Sequence, residues 1–464
     1  METNKSKSYV PMLSVTVLFF MWGFITSLND ILIPYLKSVY SLSHFEANIV
    51  QFAFFIAYFV GSLVFYLLSK KGKDTISLYG YKTTLVIGLM TASVACLIFA
   101  LSAYLQMGFA VFLAALFLLG LGLTFLQIAA NPFVALIGNP DTASSRLNLS
   151  QAFNSLGTTL GPAIGGYLIF SIFIDKNANS ASGVILPYLF LSLLLLLLAV
   201  FIGFVKIGVH KEETTETKHQ RSIFSYPYVV LGALGIFFYV GAEVSVGSNT
   251  VSYLKETMNM PEALASAYLS YYWGGAMIGR FLGSVSLSKI SRTKKLLSML
   301  LLSLAGFFVV FTINYSLHGL NFGRVVFFIF FMLLNFLGFY FGKGIPSRLL
   351  AVFAFVNVVL IAASMSLSGE VALWSLLAVG LFNSIMWSNV FTLAIEGLEN
   401  RTAEASSILI MMILGGAVLP PLQGIAADCI GIRYSFLIPM LSYVYLFFYG
   451  VKGCKIGKTN SQIR

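Results

Sequence analysis

Three ionisable side chains stand inside otherwise apolar stretches of this sequence. They are Asp30 in FFMWGFITSLNDILIPYLK, Glu243 in FFYVGAEVSVGSNTVSYLK and Arg280 in YYWGGAMIGRFLGS. A charge in hydrocarbon is costly, so such residues face a cavity or each other. Two carboxylates against one guanidinium leave one acid over, and an acid unpaired in a low-dielectric setting can hold a proton near neutral pH. A site that takes up a proton in one conformation and releases it in another can bias an exchange between two states. Asp30 is the first candidate for that proton and Glu243 the second. Arg280 is the structural charge that one of them neutralises; which one is open from the sequence.

A second set of residues could bind something rich in hydroxyls. In LQIAANPFVALIGNPDTASSRLNLSQAFNSLGTTLGPAIGG, Gln127 and Asn131 are four apart and so share one helix face, and Gln151 and Asn154 do the same on the next helix. Counted back from the intervening turn at about 1.5 Å per residue, Gln127 and Asn154 lie roughly 13 Å deep, near the midplane of a hydrocarbon core about 30 Å thick. Single amides also serve as glue between membrane helices. Four on two neighbouring helices favour a polar cavity. Asn29 beside Asp30, and Asn383, Trp387 and Asn389 in the C-terminal half, extend the candidate set, with Trp387 offering a ring face.

The elements that must position these groups are membrane helices. Hydrophobic residues make up 58% of the chain and charged residues 10%, with a mean hydropathy of +0.89, where soluble domains carry about 25% charged residues. The fold class is an all-α polytopic membrane protein. The first span is too long for a signal-peptide core, so no cleaved leader is expected. Cys96, Cys429 and Cys454 show no paired spacing, and the four histidines fall in or beside loops. Neither a metal, a cofactor nor a hydrolase motif is indicated, and an enzyme is not expected.

The net charge of +11 reports topology rather than a nucleic-acid partner. Fourteen apolar spans can be drawn. With the N-terminus inside, 22 of the 28 Lys and Arg lie in or beside alternate inner loops, and five (Lys37, Lys176, Lys255, Arg324, Arg433) lie outside. Arg280 alone is within a span. This positive-inside bias places both termini in the cytoplasm.

The halves repeat. At an offset of 218 residues Phe19-Phe20 falls on Phe237-Phe238, Gly23 on Gly241, Tyr35-Leu36-Lys37 on Tyr253-Leu254-Lys255 and Gly61 on Gly279. Gly157 to Pro162 matches Gly415 to Pro420 at an offset of 258, so the second half has gained forty residues between its second and fifth helices. The expected organisation is an N-terminal six-helix bundle (1–205), a polar linker (206–226) and a C-terminal bundle (227–464) with an extra helix pair near 296–367. Parallel repeats joined by a cytoplasmic linker are the layout of the major facilitator fold, here with about 14 helices, twelve plus an inserted hairpin.

LNDILIPYLK, LQIAANPFVALIG, SSRLNLSQAFNSLGTT, YYWGGAMIGRFLGS, GLFNSIMWSNVFTLAIEGL and SSILIMMILGGAVLPPLQGIAAD resemble the fucose/glucose/galactose:proton symporter family of the major facilitator superfamily. The likeness runs from about Phe19 to Asp428, the inserted hairpin excepted. It implies secondary active uptake of a sugar by cation symport, H+ ahead of Na+. It also implies that Asp30 is the coupling carboxylate and that Gln127, Gln151 and Asn154 contact the sugar. The fucose branch has glutamate where this chain has Gln127; the glucose/galactose branch is similar to this sequence in having glutamine, which favours an aldohexose. The expected partners are the sugar, the cation and the lipid bilayer of a bacterial inner membrane, for a monomer. A proton-coupled exporter, resting on the glycines around Pro162, and a sugar uniporter are the competing readings.

Overall fold

An apolar run placed in lipid must satisfy every backbone N–H and C=O internally, and the helix does this within one segment. The computed structural model describes residues 14–27, 40, 44–69, 71–137, 139–167, 181–205, 222–260, 262–398 and 401–458. Its helices are α1 (Ser14–Ser27), α2 (His44–Ser69), α3 (Thr75–Tyr104), α4 (Phe109–Leu136), α5 (Ala143–Tyr167) and α6 (Ile185–Phe204). They continue as α7 (Pro227–Met258), α8 (Glu262–Ser286), α9 (Arg292–His318), α10 (Phe322–Gly342), α11 (Pro346–Ser366), α12 (Gly369–Asn383) and α13 (Met386–Ile395). The last are α14 (Thr402–Met411), α15 (Gly415–Ile430), α16 (Ile432–Ser435) and α17 (Leu437–Val451).

Among the described residues, eleven segments are long and apolar enough to cross a membrane, with α12–α13, α14–α15 and α16–α17 each counting as one broken span. The described part of α1 is too short to be counted with them, and α5 and α8 are absent from that set. α5 carries Asn148, Gln151 and Asn154, and α8 carries Arg280 and a Tyr271-Tyr272 pair. The helices with the least apolar sequence are therefore among those that hold the candidate site. With α1, α5 and α8 the rods fit the expected number of about fourteen.

The chain forms two compact units that are not continuous in sequence. One comprises Met1–Gly138, Leu156–Gln220 and Leu398–Met411; the other comprises Asn139–Ser155, Arg221–Gly397 and Met412–Arg464. The boundaries thus differ from a simple cut at the linker, and contacts explain the difference. In the second unit the start of α5 bonds to C-terminal helices. Ser144 and Thr392 share a hydroxyl bond of 2.7 Å, Ser145 donates to the Ser284 carbonyl at 2.5 Å, and Lys289 reaches Asp141 at 2.6 Å. In the first unit α14 packs on α2 and α4, with Ser406 donating to the Ile128 carbonyl at 3.4 Å.

The repeat is visible as matching close approaches. In the first unit Gly120 of α4 presses on the Phe54 carbonyl of α2, where a Cβ would come within 3.0 Å; in the second unit Gly380 of α12 presses on the Tyr272 carbonyl of α8. Gly61 meets Leu121 and Thr124; Gly279 meets Leu381 and Ser384. The partners on α2 and α8 are 218 residues apart, those on α4 and α12 are 260 apart. Small residues at these crossings let two backbones come close where lipid supplies no hydrophobic drive to associate. In the first unit α3 packs against both α4 and α6, and in the second α11 packs against both α12 and α17.

Candidate functional site

α7 and α8 carry an ion pair inside the second unit. Arg280 Nη2 lies 3.1 Å from Glu243 Oε1, and both side chains are largely buried, 12% and 13% exposed. Tyr239, one helical turn before Glu243, donates its hydroxyl to the same Oε1 at 2.7 Å. The guanidinium also donates to the Ser155 hydroxyl of α5 and, through Nε, to the Ser384 carbonyl at 3.2 Å. Ser384 sits at the break between α12 and α13, where irregular backbone offers a carbonyl to a buried cation. A buried pair is tolerable only when its remaining donors and lone pairs are bonded in this way. The question left open by the sequence is answered for this conformation: Arg280 pairs with Glu243.

A second polar cluster ties α7, α8, α11, α12 and α17 together around Asn383, which is fully buried. Its Oδ1 accepts from Tyr443 at 2.6 Å and from Asn357 at 3.0 Å, and its Nδ2 donates to the Tyr272 hydroxyl at 2.8 Å. Tyr272 in turn donates to the main-chain oxygen of Glu243 at 2.7 Å. Further along α7, Asn249 donates to Gln423 at 3.2 Å.

The first unit has its own cluster on α1, α2 and α4. The buried Tyr58 hydroxyl lies near the Trp22, Thr26 and Gln127 side chains. Gln127 is 1% exposed, and its Oε1 has no hydrogen-bond partner among the described residues. Amide, phenol and indole side by side supply hydrogen bonds and an aromatic face, the set a sugar ring uses. An orphaned buried acceptor costs about 1–3 kcal/mol, so it marks a place where a polar ligand would be welcome.

The candidate residues fare differently. Asn29 and Asp30 lie outside the described residues. Gln127 is in the first unit, at the cluster just described. Asn131 is buried there too; its Nδ2 returns to the Gln127 carbonyl of its own helix at 2.9 Å, and its Oδ1 has no partner among the described residues. Gln151 and Asn154 belong to the second unit; Gln151 is buried with Nε2 unpartnered among the described residues, and Asn154 is half-buried. Asn383 spends its amide on protein partners. Trp387 stacks on Phe391 at 5.0 Å and 12°, so one ring face is covered. Asn389 donates to the Pro346 carbonyl at 3.3 Å.

Sequence reasoning did not single out Trp22, Tyr58, Tyr239, Tyr272, Tyr443 or Asn357. Only Tyr239 carried a readable signal, the four-residue spacing from Glu243 that puts both on one helix face. The other tyrosines look like ordinary apolar-helix aromatics until their neighbours are known.

Residues 15–345 match the model of the Major Facilitator Superfamily. The chain is 40% identical over 460 residues to the "Glucose/galactose transporter" of Brucella abortus biovar 1, covering 98% of this chain and 97% of that one. It is 27% identical to the "L-fucose-proton symporter" of Escherichia coli K12, covering 97% and 94%. A crystal structure titled as a major facilitator superfamily transporter, FucP, in the outward conformation superposes with a TM-score of 0.74 at 26% identity, over 96% of this chain and 98% of that one. A helical polytopic chain with paired halves, so matched along nearly its whole length, belongs to the major facilitator superfamily.

Proposed function

We propose that this multi-pass membrane protein is a secondary transporter that takes up a hexose, glucose or galactose, by proton symport. The observation that carries this reading is the cluster of buried Tyr58 and Gln127 with half-buried Trp22 and Thr26, whose orphaned amide oxygen could accept from a sugar hydroxyl. Its character is uncharged, as a neutral sugar requires. The relatives named as glucose/galactose transporters at 40% identity support the substrate class, and those named as proton symporters support the coupling ion. Gln127 contacts the sugar in this reading. Asn383, Trp387 and Asn389 brace the broken α12–α13 rod, with Asn131 bracing α4.

Coupling falls to Asp30. Glu243 is held by Arg280 and Tyr239, so this reading gives the exchangeable proton to Asp30, the acid of the first span. Protonation and sugar together favour the rearrangement of the loaded carrier. Release of both inside lets the empty carrier return after losing the proton, so the gradient drives accumulation. The carrier works in this account as a monomer in the bacterial inner membrane with both termini cytoplasmic. Its extra helix pair is α9–α10, since α11 packs on α12 and α17 as α3 does on α4 and α6.

Uptake of radiolabelled glucose or galactose into right-side-out vesicles, with and without an inward proton gradient, tests the reading. Accumulation above equilibrium only with the gradient is the expected result. Equilibration alone would make the protein a uniporter, and no sugar-dependent flux would overturn the substrate class.

A further inference from the structure

The α9–α10 pair builds a cavity that sugar transport does not use. It measures about 410 Å³ and opens where the end of α8, the start of α9 and the end of α10 converge, all within the second unit. Ser286, Arg292, Lys295, Phe336, Tyr340 and Lys343 are among its lining residues. Three of these six are cations. From Ala263 to Gly369 the sequence contains no Asp or Glu, and no carboxylate among the described residues pairs with Arg292, Lys295 or Lys343.

The cations are positioned without being neutralised. Lys295 Nζ donates to the Ser286 carbonyl at 2.7 Å, and the Arg292 guanidinium lies over the Tyr340 ring, 5.7 Å from its centroid. Lys343 follows α10 in a left-handed turn, with φ of 51°. Arg292 opens one membrane-spanning segment and Lys343 directly follows the end of the next, at Gly342. The charged rim therefore lies at the boundary between hydrocarbon and headgroups. Beneath it the lining turns apolar with Leu296, Met299, Phe336 and Phe339, and this surface continues into the exposed side chains of Leu300, Leu337 and Phe341.

We propose that this cavity binds an anionic phospholipid, its headgroup phosphate against Arg292, Lys295 and Lys343 and an acyl chain along the apolar floor. Basic pockets between helices at a membrane surface select anionic headgroups. A soluble anion would gain from the cations but nothing from an apolar floor that faces lipid. A zwitterionic lipid would bring its own cation into a site that has no acid to receive it. The inserted pair thereby gives the bundle a fixed lipid at its edge.

The test places a reporter in the cavity. The full chain carrying Tyr340→Trp is reconstituted in phosphatidylcholine vesicles containing brominated phosphatidylglycerol or brominated phosphatidylcholine, and quenching is corrected with the parent chain. Brominated phosphatidylglycerol should quench at a mole fraction roughly tenfold lower. Lys343→Gln, a change at an exposed turn, should lower that preference severalfold; Arg292→Gln with Lys295→Gln and Lys343→Gln should abolish it with the melting temperature unchanged. Equal quenching by the two lipids, or a preference that survives neutralisation of all three cations, would overturn the proposal. Displacement of the quenching lipid by inorganic phosphate would also overturn it, assigning the site to a soluble anion.

Discussion

The Glu243 carboxylate and the Arg280 guanidinium meet at 3.1 Å between α7 and α8, and Tyr239 donates to the same carboxylate oxygen at 2.7 Å. Two charges so deeply placed are each other's main compensation. Arg280→Met should therefore strand the carboxylate and destabilise the fold by about 3–5 kcal/mol. The double variant Glu243→Gln, Arg280→Met should recover most of that loss, because it leaves no unpaired charge. Thermal melting in detergent reads both; equal losses in the single and double variants would show that the pair is not the relevant unit.

Gln127 and Tyr58 provide the complementary test in the first unit. Gln127→Ala removes a hydrogen-bonding amide from the proposed sugar site, a loss of about 1–3 kcal/mol and so roughly 5- to 150-fold in affinity. Tyr58→Phe should weaken binding in the same direction by a smaller factor. Asn383→Leu should behave oppositely, lowering the melting temperature by orphaning the Tyr443 hydroxyl and the Asn357 amide while leaving sugar affinity near the parent value. Equilibrium binding of labelled sugar checks all three, and unchanged affinity in Gln127→Ala would return that amide to a role in helix packing.

Much of this fold could be read before any coordinates, because hydropathy alone locates apolar rods and small residues mark their crossings. Gly61 and Gly279 were matched from sequence, and they do occupy equivalent crossings, on Leu121 and Thr124 in one unit and on Leu381 and Ser384 in the other. The change of offset from 218 to 258 could not say which of the four candidate rods between the second and fifth helices of the second half were extra, since all are apolar. α11 packs against α12 and α17 as α3 packs against α4 and α6. The partner of Arg280 was equally hidden, because it depends on how α7 and α8 rotate about their axes. So were Tyr58 and Trp22, whose polar tips matter only once α1, α2 and α4 bring them to Gln127. The exchange of short segments between the two units had no sequence signal: Ser144, Ser145 and Asp141 find their partners more than a hundred residues away.

The topology makes a prediction of its own. α10 runs from Phe322 to Gly342 and is long and apolar enough to cross a membrane, so its flanking residues Asn321 and Ile345 should lie on opposite sides of it. Both are exposed. Single cysteines at these positions, in a chain with Cys429 replaced by Ser, should be labelled by an impermeant maleimide from outside at Asn321 only. Labelling of both from one side would remove α10 as a crossing.

Asp30→Asn tests the central claim most directly, because the amide mimics a carboxyl that never gives up its proton. Proteoliposomes carrying this variant should exchange labelled for unlabelled sugar at a rate close to the parent chain, since exchange needs no proton release. They should fail to concentrate sugar under an inward proton gradient, since each return of the empty carrier requires the proton to leave. The predicted result is exchange retained with accumulation abolished. Accumulation at the parent level would contradict the account and direct attention to Glu243, and loss of exchange as well would make Asp30 a sugar ligand or a structural group.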